Sequence, residues 1–202
     1  MDLFSNFVLF DEGCREYVDY ALPDTDLRLW RQFFGKEESD HYFKTFLETA
    51  PWKQRERKMY DKMVLDPRLT AFYGIKGEPF TPELLAIKER IEVTSWCQFN
   101  YVLLNYYRDG QDSVAWHSDT LPSSGKHHAI ASVTFGERRV FKVRHKTNKE
   151  IAPIEIPLTH GSFLLMGETM QYHYEHHVPK TARKIGPRIN LTFRTSDNPS
   201  VY

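Results

Sequence analysis

Arg188-Ile189-Asn190-Leu191-Thr192-Phe193-Arg194 is the stretch whose reading decides the fold. As a β-strand its side chains alternate between two faces. Ile189, Leu191 and Phe193 form an apolar face that fits a core. Arg188, Asn190, Thr192 and Arg194 form a face with two cations and two hydrogen-bonding groups. The two arginines stand roughly 20 Å apart along the strand, at about 3.3 Å per residue. They do not easily grip one carboxylate together. Leaning toward each other, they suit the two ends of a small dianion, each through a charge-assisted contact. An edge strand with a solvated polar face accounts for the same pattern.

Working back from that strand, the chain from residue 97 onward reads as short strands separated by turns. They cover 98–107, 114–119, 129–135, 138–144, 153–157, 162–166, 171–178 and 188–194. About eight strands with no helix between them predict a β-sandwich or jelly roll. Residues 1–96 read differently. Asp26 to Phe34 alternates loosely as a strand. Ser39 is placed to cap a helix through about Thr49, with Tyr42, Phe43, Phe46 and Leu47 on one face. Asp66-Pro67, Gly74, Gly77 and Pro79 punctuate a loop-rich stretch. Thr81-Pro82 reads as N-cap and first residue of a helix with Leu84, Leu85, Ile87 and Ile91 inward. The expected organisation is a mostly β protein with N-terminal helices: an extension over 1–96 packed on a jelly-roll core over 97–202, together one structural domain.

Composition narrows the classes. Of 202 residues, 27 are Lys or Arg and 27 are Asp or Glu, so any nucleic-acid contact must come from local patches. Cys14 and Cys97 supply neither a disulfide framework nor a paired-cysteine metal motif, which favours a reducing compartment. No basic segment followed by an apolar run opens the sequence, and no stretch approaches the ~20 apolar residues of a membrane helix. An intracellular protein without a membrane partner is expected, cytoplasmic in a bacterium, nuclear or cytoplasmic in a eukaryote.

The chemistry lies in a few polar positions. In His117-Ser118-Asp119 the imidazole and the carboxylate point the same way from a strand and can chelate a divalent metal, although a polar strand end gives the same pattern. A third ligand is available from Gln171 to Pro179, which supplies His173, His176 and His177. Two histidines and a carboxylate form the facial triad of non-haem Fe(II) oxygenases, and they also occur in zinc hydrolases. A site for a dianionic cosubstrate separates the two, and Arg188 with Arg194 offers one. Asn105 and Tyr107 share a strand face, and the Arg108-Asp109-Gly110 turn leads from them toward His117. The two strands are therefore expected to be hairpin neighbours, with Asn105 and Tyr107 as hydrogen-bonding groups near the metal.

These elements together resemble a known family. Asn105-x-Tyr107, His117-x-Asp119, a His three residues before Pro179 and Arg188-x-Asn190-x-Thr192-x-Arg194 are similar to the AlkB family of Fe(II)/2-oxoglutarate dioxygenases. Pro51-Trp52-Lys53-Gln54-Arg55 and Pro67-Arg68-Leu69-Thr70-Ala71-Phe72-Tyr73-Gly74 are similar to the members that repair alkylated DNA and RNA. The likeness runs from about residue 51 to 195. It implies a double-stranded β-helix (cupin-like jelly roll) under a nucleotide-recognition lid. It implies that His117, Asp119 and His176 bind Fe(II), His176 being the histidine at the right distance from Pro179. Arg188, Asn190 and Tyr107 would hold the outer carboxylate of 2-oxoglutarate, with Asn105 and Arg194 near the end that chelates iron. Phe80 would stack on a flipped base, and Trp52 and Arg68 would belong to the lid. Thr120 follows the metal aspartate where relatives often carry a second acid that contacts the base.

The activity so implied is oxidative demethylation of N-alkylated bases of the 1-methyladenine and 3-methylcytosine type. O₂ and 2-oxoglutarate are consumed and formaldehyde is released. The target base must be flipped or presented in a single strand; single-stranded DNA or RNA is expected because no aromatic wedge for a duplex is evident, and a monomer is expected. Three basic clusters are placed to track phosphates: Lys53, Arg57 and Lys58; Lys142, Arg144 and Lys146; and Lys180, Arg183 and Lys184. Two other readings remain: an oxygenase acting on a protein or lipid, and a non-catalytic metal-binding jelly roll.

Overall fold

The architecture comes from a computed structural model, which describes residues 16–59, 61–75, 77–119 and 129–196. In chain order the elements are β1 (Val18–Asp19), β2 (Leu27–Trp30), α1 (Lys36–Thr49), β3 (Lys53–Met59), β4 (Lys62–Gly74), α2 (Pro82–Ser95), β5 (Tyr101–Tyr107), β6 (Val114–His117), β7 (Ile130–Gly136), β8 (Arg139–His145), β9 (Ile154–Leu158), β10 (Ser162–Met166), α3 (Met170–His173), β11 (Tyr174–Val178) and β12 (Arg188–Arg194). They build two sheets: a large one in the order β1-β2-β10-β7-β12-β5-β4-β3, and a small one in the order β6-β11-β8-β9.

The alternation in β12 explains the layering. Ile189, Leu191 and Phe193 join Val102 and Leu104 of β5 and Val133 and Phe135 of β7 in one apolar cluster. That cluster is closed on the far side by Tyr42 and Phe46 of α1 and by Leu84, Ile87 and Ile91 of α2. The other face of the large sheet turns toward the small sheet. There Leu164 and Met166 of β10 and Tyr107 of β5 meet Phe141, Val143, Ile156 and Val178 in a second cluster. β12 is no edge strand. It pairs with β5 on one side and β7 on the other, and all seven of its residues are buried. Its polar face therefore needs an interior partner.

Several local expectations change. α1 begins at Lys36, with Gly35 as its N-cap and without a side-chain cap bond; Ser39 is fully buried within the helix. Glu37 and Glu38 fall in its first turn, where the helix dipole favours acids. The Thr81 cap of α2 holds, its hydroxyl accepting the Leu84 N–H at 3.3 Å; of the four expected inward residues, Leu85 is exposed. The first part of the loop-rich stretch is instead strand, the end of β4 to Gly74, while Gly77 and Pro79 lie in irregular backbone as expected. Pro67 hid it, because proline interrupts a ladder. It sits where the β3–β4 register shifts and no N–H is required. Gly74 ends β4 at φ +100°, where a Cβ would lie 2.5 Å from the Asn100 carbonyl oxygen. Residues 171–178 are not one strand, since α3 covers their start. The 108–110 turn does not join hairpin neighbours: β5 lies in the large sheet and β6 in the small one.

Candidate active site

The two sheets enclose a cavity of about 190 Å³. Strand register brings its titratable groups together. His117 of β6 and His176 of β11 are cross-strand partners, and their rings lie 4.4 Å apart. Asp119 follows just beyond β6. Its Oδ1 is 3.6 Å from His117 Nε2 and its Oδ2 is 4.0 Å from His176 Nε2. The donor atoms of all three lie within 4.8 Å of one another. The neighbouring candidates point elsewhere. His177 is on the outer face of the small sheet, stacked 3.9 Å from the Trp116 ring, and His173 lies on α3, its ring 6.1 Å from that of His145.

The protonation pattern suits a cation. His117 Nδ1 lies 2.8 Å from the Ala115 carbonyl, which can only accept, so Nδ1 carries a proton and Nε2 is the nitrogen turned toward the cluster. Burial pushes His176 down to about 4, with further lowering from His117, Arg194 and His177, so the ring is neutral near pH 7. Burial alone would raise the Asp119 carboxyl. Arg194 and the two imidazoles overcome that effect and hold it well below the usual carboxylate range. Two imidazoles and one carboxylate, with Phe141 stacked on the His176 ring at 4.9 Å, form a donor set that fits Fe(II).

Beside this cluster lies a buried cation. Arg188 is 1 % exposed. Its Nη2 donates to Thr134 Oγ1 at 2.9 Å, while Nε and Nη1 meet no partner among the described residues. Burial pushes it down to about 10, which leaves it charged near neutral pH. Its guanidinium lies 5.1 Å from the Tyr107 ring. A charged guanidinium buried without a counter-charge is costly, and an anion that fills the cavity relieves that cost.

The symmetric arginine clasp gives way to a division of labour. Arg194 Nη2 donates to Asp119 Oδ1 at 2.7 Å, so this arginine is engaged with the metal carboxylate. Asn190 Nδ2 donates to Ser132 Oγ at 2.8 Å and to the Val133 carbonyl at 2.9 Å, which ties β12 to β7. Asn105 and Tyr107 line the cavity from the sheet opposite His117. Arg68 reaches in from β4 beside the register shift, its Nε donating to Asn105 Oδ1 at 2.8 Å.

Trp52 and Phe80 lie elsewhere. Both pack against the helix-side cluster. Trp52 stands 5.3 Å from Tyr106, on the face of the large sheet turned away from the cavity. Thr120 lies outside the described residues, as do the side chains of Arg57 and Lys58. The structure also adds residues that sequence reading passes over. Ser132 and Thr134 carry polar groups at alternate positions of an otherwise apolar strand, a signal that was there to be used. Gln171 and Tyr174 grip the His-x-Asp segment, and a single-strand reading of 171–178 conceals them.

A sandwich with a His-Asp-His cluster and a buried arginine between its sheets defines a class, and sequence comparison gives the same class. The chain matches the model of the 2OG-Fe(II) oxygenase superfamily over residues 26–194 and belongs to that superfamily. Within it the chain is an AlkB-family member, as its relatives show. It is 40% identical over 181 residues to the alpha-ketoglutarate-dependent dioxygenase alkB homolog 3 of Bos taurus, covering 81% of this chain and 63% of that protein. It is 32% identical over 182 residues to the DNA oxidative demethylase ALKBH2 of Homo sapiens, covering 80% and 70%. The chain thus spans just under two thirds of the length of the alkB homolog 3 proteins. The solved structure of OsALKBH1, at 14% identity, shares the fold with a TM-score of 0.63 over 84% of this chain and 97% of that one.

Proposed function

We propose that the protein is an Fe(II)- and 2-oxoglutarate-dependent oxidative demethylase of N-alkylated bases in nucleic acid. The observation that carries this reading is the pairing of the His117/Asp119/His176 cluster with the unpartnered donors of buried Arg188 in one cavity. A zinc hydrolase has no use for the second feature. A keto-diacid needs both, an anion partner at one end and a metal at the other. The dioxygenase and DNA oxidative demethylase names of the relatives support the same chemistry.

The residues divide the work. His117, Asp119 and His176 would hold the Fe(II). Arg188 receives the outer carboxylate beside Tyr107, and Asn105 and Arg194 border the end nearer the metal. Leu103, Phe141, Met166 and Val178 line the cavity with apolar surface that excludes water. Bound Fe(II), with 2-oxoglutarate and O₂, supplies oxidation of the N-methyl group, with succinate, CO₂ and formaldehyde as products. Arg68, anchored on Asn105 at the cavity, would meet the base in this reading.

The substrate is a single strand and the enzyme acts as a monomer in this reading. The exposed apolar side chains described on the β3–β4 hairpin, Met63, Val64 and Leu65, are aliphatic. Exposed Lys180, Arg183 and Lys184 offer cations to phosphates. Lys142 and Arg144 are already paired with Glu155 and Glu175. Among the described residues no helix is long and apolar enough to cross a membrane. The test is formaldehyde release from methylated DNA and RNA oligonucleotides with Fe(II), ascorbate and 2-oxoglutarate. Oligonucleotides left unchanged while 2-oxoglutarate is consumed would overturn the substrate assignment.

A further inference from the structure

Asp119 lies two residues beyond the end of β6, where no ladder hydrogen bond fixes its backbone. Its position comes from another part of the chain. The Asp119 N–H donates to Oε1 of Gln171 at 2.8 Å, and the Ser118 hydroxyl donates to the Tyr174 carbonyl at 2.8 Å. Both acceptors belong to the short turn of α3 and the first residue of β11, some fifty positions away in sequence.

Gln171 is held as firmly as it holds. It is 2 % exposed. Its backbone carbonyl accepts from Lys146 Nζ at 2.6 Å, and its side-chain Nε2 meets the soft sulfur of Met166, at 3.8 Å. A side chain buried against Met166 has no packing reason to be an amide, because an apolar residue of that length fills such a place without burying polar atoms. What the amide provides is an acceptor aimed at one N–H. We infer that Gln171 is a positioning residue: it sets the backbone of Asp119, and through it the angle at which the carboxylate faces His117 and His176. This inference rests on the reading of Asp119 as a metal ligand. Partners that orient ligands from behind commonly govern metal affinity by 10–100-fold.

The test is anaerobic Fe(II) titration of Gln171→Met and Gln171→Leu, which keep the volume and lose the amide acceptor. Asp119→Ala and Arg188→Gln are run alongside. Both Gln171 variants are expected to bind Fe(II) about 10–100-fold more weakly. Their affinity for 2-oxoglutarate at saturating Fe(II) should stay within about threefold of the parent. Arg188→Gln should show the reverse split, which a general loosening of the fold would not produce. Should either Gln171 variant fail to fold, Ser118→Ala removes the second tether and must weaken Fe(II) in the same direction. Gln171 variants that fold and bind Fe(II) within threefold of the parent overturn the inference. If Asp119→Ala also leaves Fe(II) binding unchanged, it is the metal assignment that fails.

Discussion

Among the described residues, two places gather two histidines and an aspartate with their donor atoms within 4.8 Å of one another: His117, Asp119 and His176, and Asp24, His145 and His173. By residue type they are the same site. They differ in what the other ring nitrogen does. In the first, His117 Nδ1 is matched with a carbonyl, so Nε2 is free to ligate. In the second, His145 Nδ1 accepts from the backbone N–H of Asn148 at 2.8 Å and of Thr147 at 3.2 Å. That requires a bare Nδ1 and puts the proton on Nε2. With Nδ1 taken up by those two N–H groups, His145 presents no bare ring nitrogen to a metal. Asp24 is exposed, whereas Asp119 is buried and held by Arg194 and Gln171. The lesson is that hydrogen bonds behind the ligands, more than the ligand types, decide which cluster takes a cation.

The largest expected effect separates the clusters outright. Asp119→Ala should abolish Fe(II) binding and turnover, while Asp24→Ala should leave one Fe(II) per chain and near-parental activity; metal analysis of both variants checks this. Next comes the buried cation. Arg188→Gln removes a charge partner worth about 2–5 kcal/mol for a fully desolvated pair, so the apparent Kd for 2-oxoglutarate should rise at least about 30-fold. Isothermal titration with Mn(II) in place of Fe(II) reads it, and a change under threefold would remove Arg188 from the cosubstrate site. Arg68→Ala is smaller. A charged hydrogen bond is worth about 1.5–3 kcal/mol, so kcat/KM on a methylated oligonucleotide should fall roughly 10- to 100-fold. Uncoupled 2-oxoglutarate turnover should change little. Smallest, and a matter of stability alone, is His145→Ala. It strands two backbone N–H groups at a cost of about 1–3 kcal/mol, seen as a lower denaturant midpoint with Fe(II) stoichiometry unchanged.

Much of this was legible in the sequence. β12 announced a two-faced strand, and the structure places its apolar face on the helices and its polar face in the cavity. Each of the eight stretches expected as strands after residue 97 contains one, the seventh only from Tyr174 onward, because alternation and turn residues are local signals. What failed depends on distant partners. Pro67 is compatible with a strand only because the β3–β4 register shifts beside it. β5 and β6 part into different sheets, which no turn sequence specifies. The resemblance marked Arg194 for the iron end, and the structure adds its bond to Asp119. Phe80 and Trp52 look alike in sequence whether they face a base or a core. Here they face the helix-side core, where Phe80 lies close to Gly74 at the end of β4.

The most direct measurement combines the two clusters with the proposed chemistry: formaldehyde and succinate released from an N-methylated single-stranded oligonucleotide, for the parent, Asp119→Ala and Asp24→Ala. Equal amounts of both products from the parent and from Asp24→Ala, and neither from Asp119→Ala, are predicted. Succinate without formaldehyde from the parent, or products surviving in Asp119→Ala, would contradict the account.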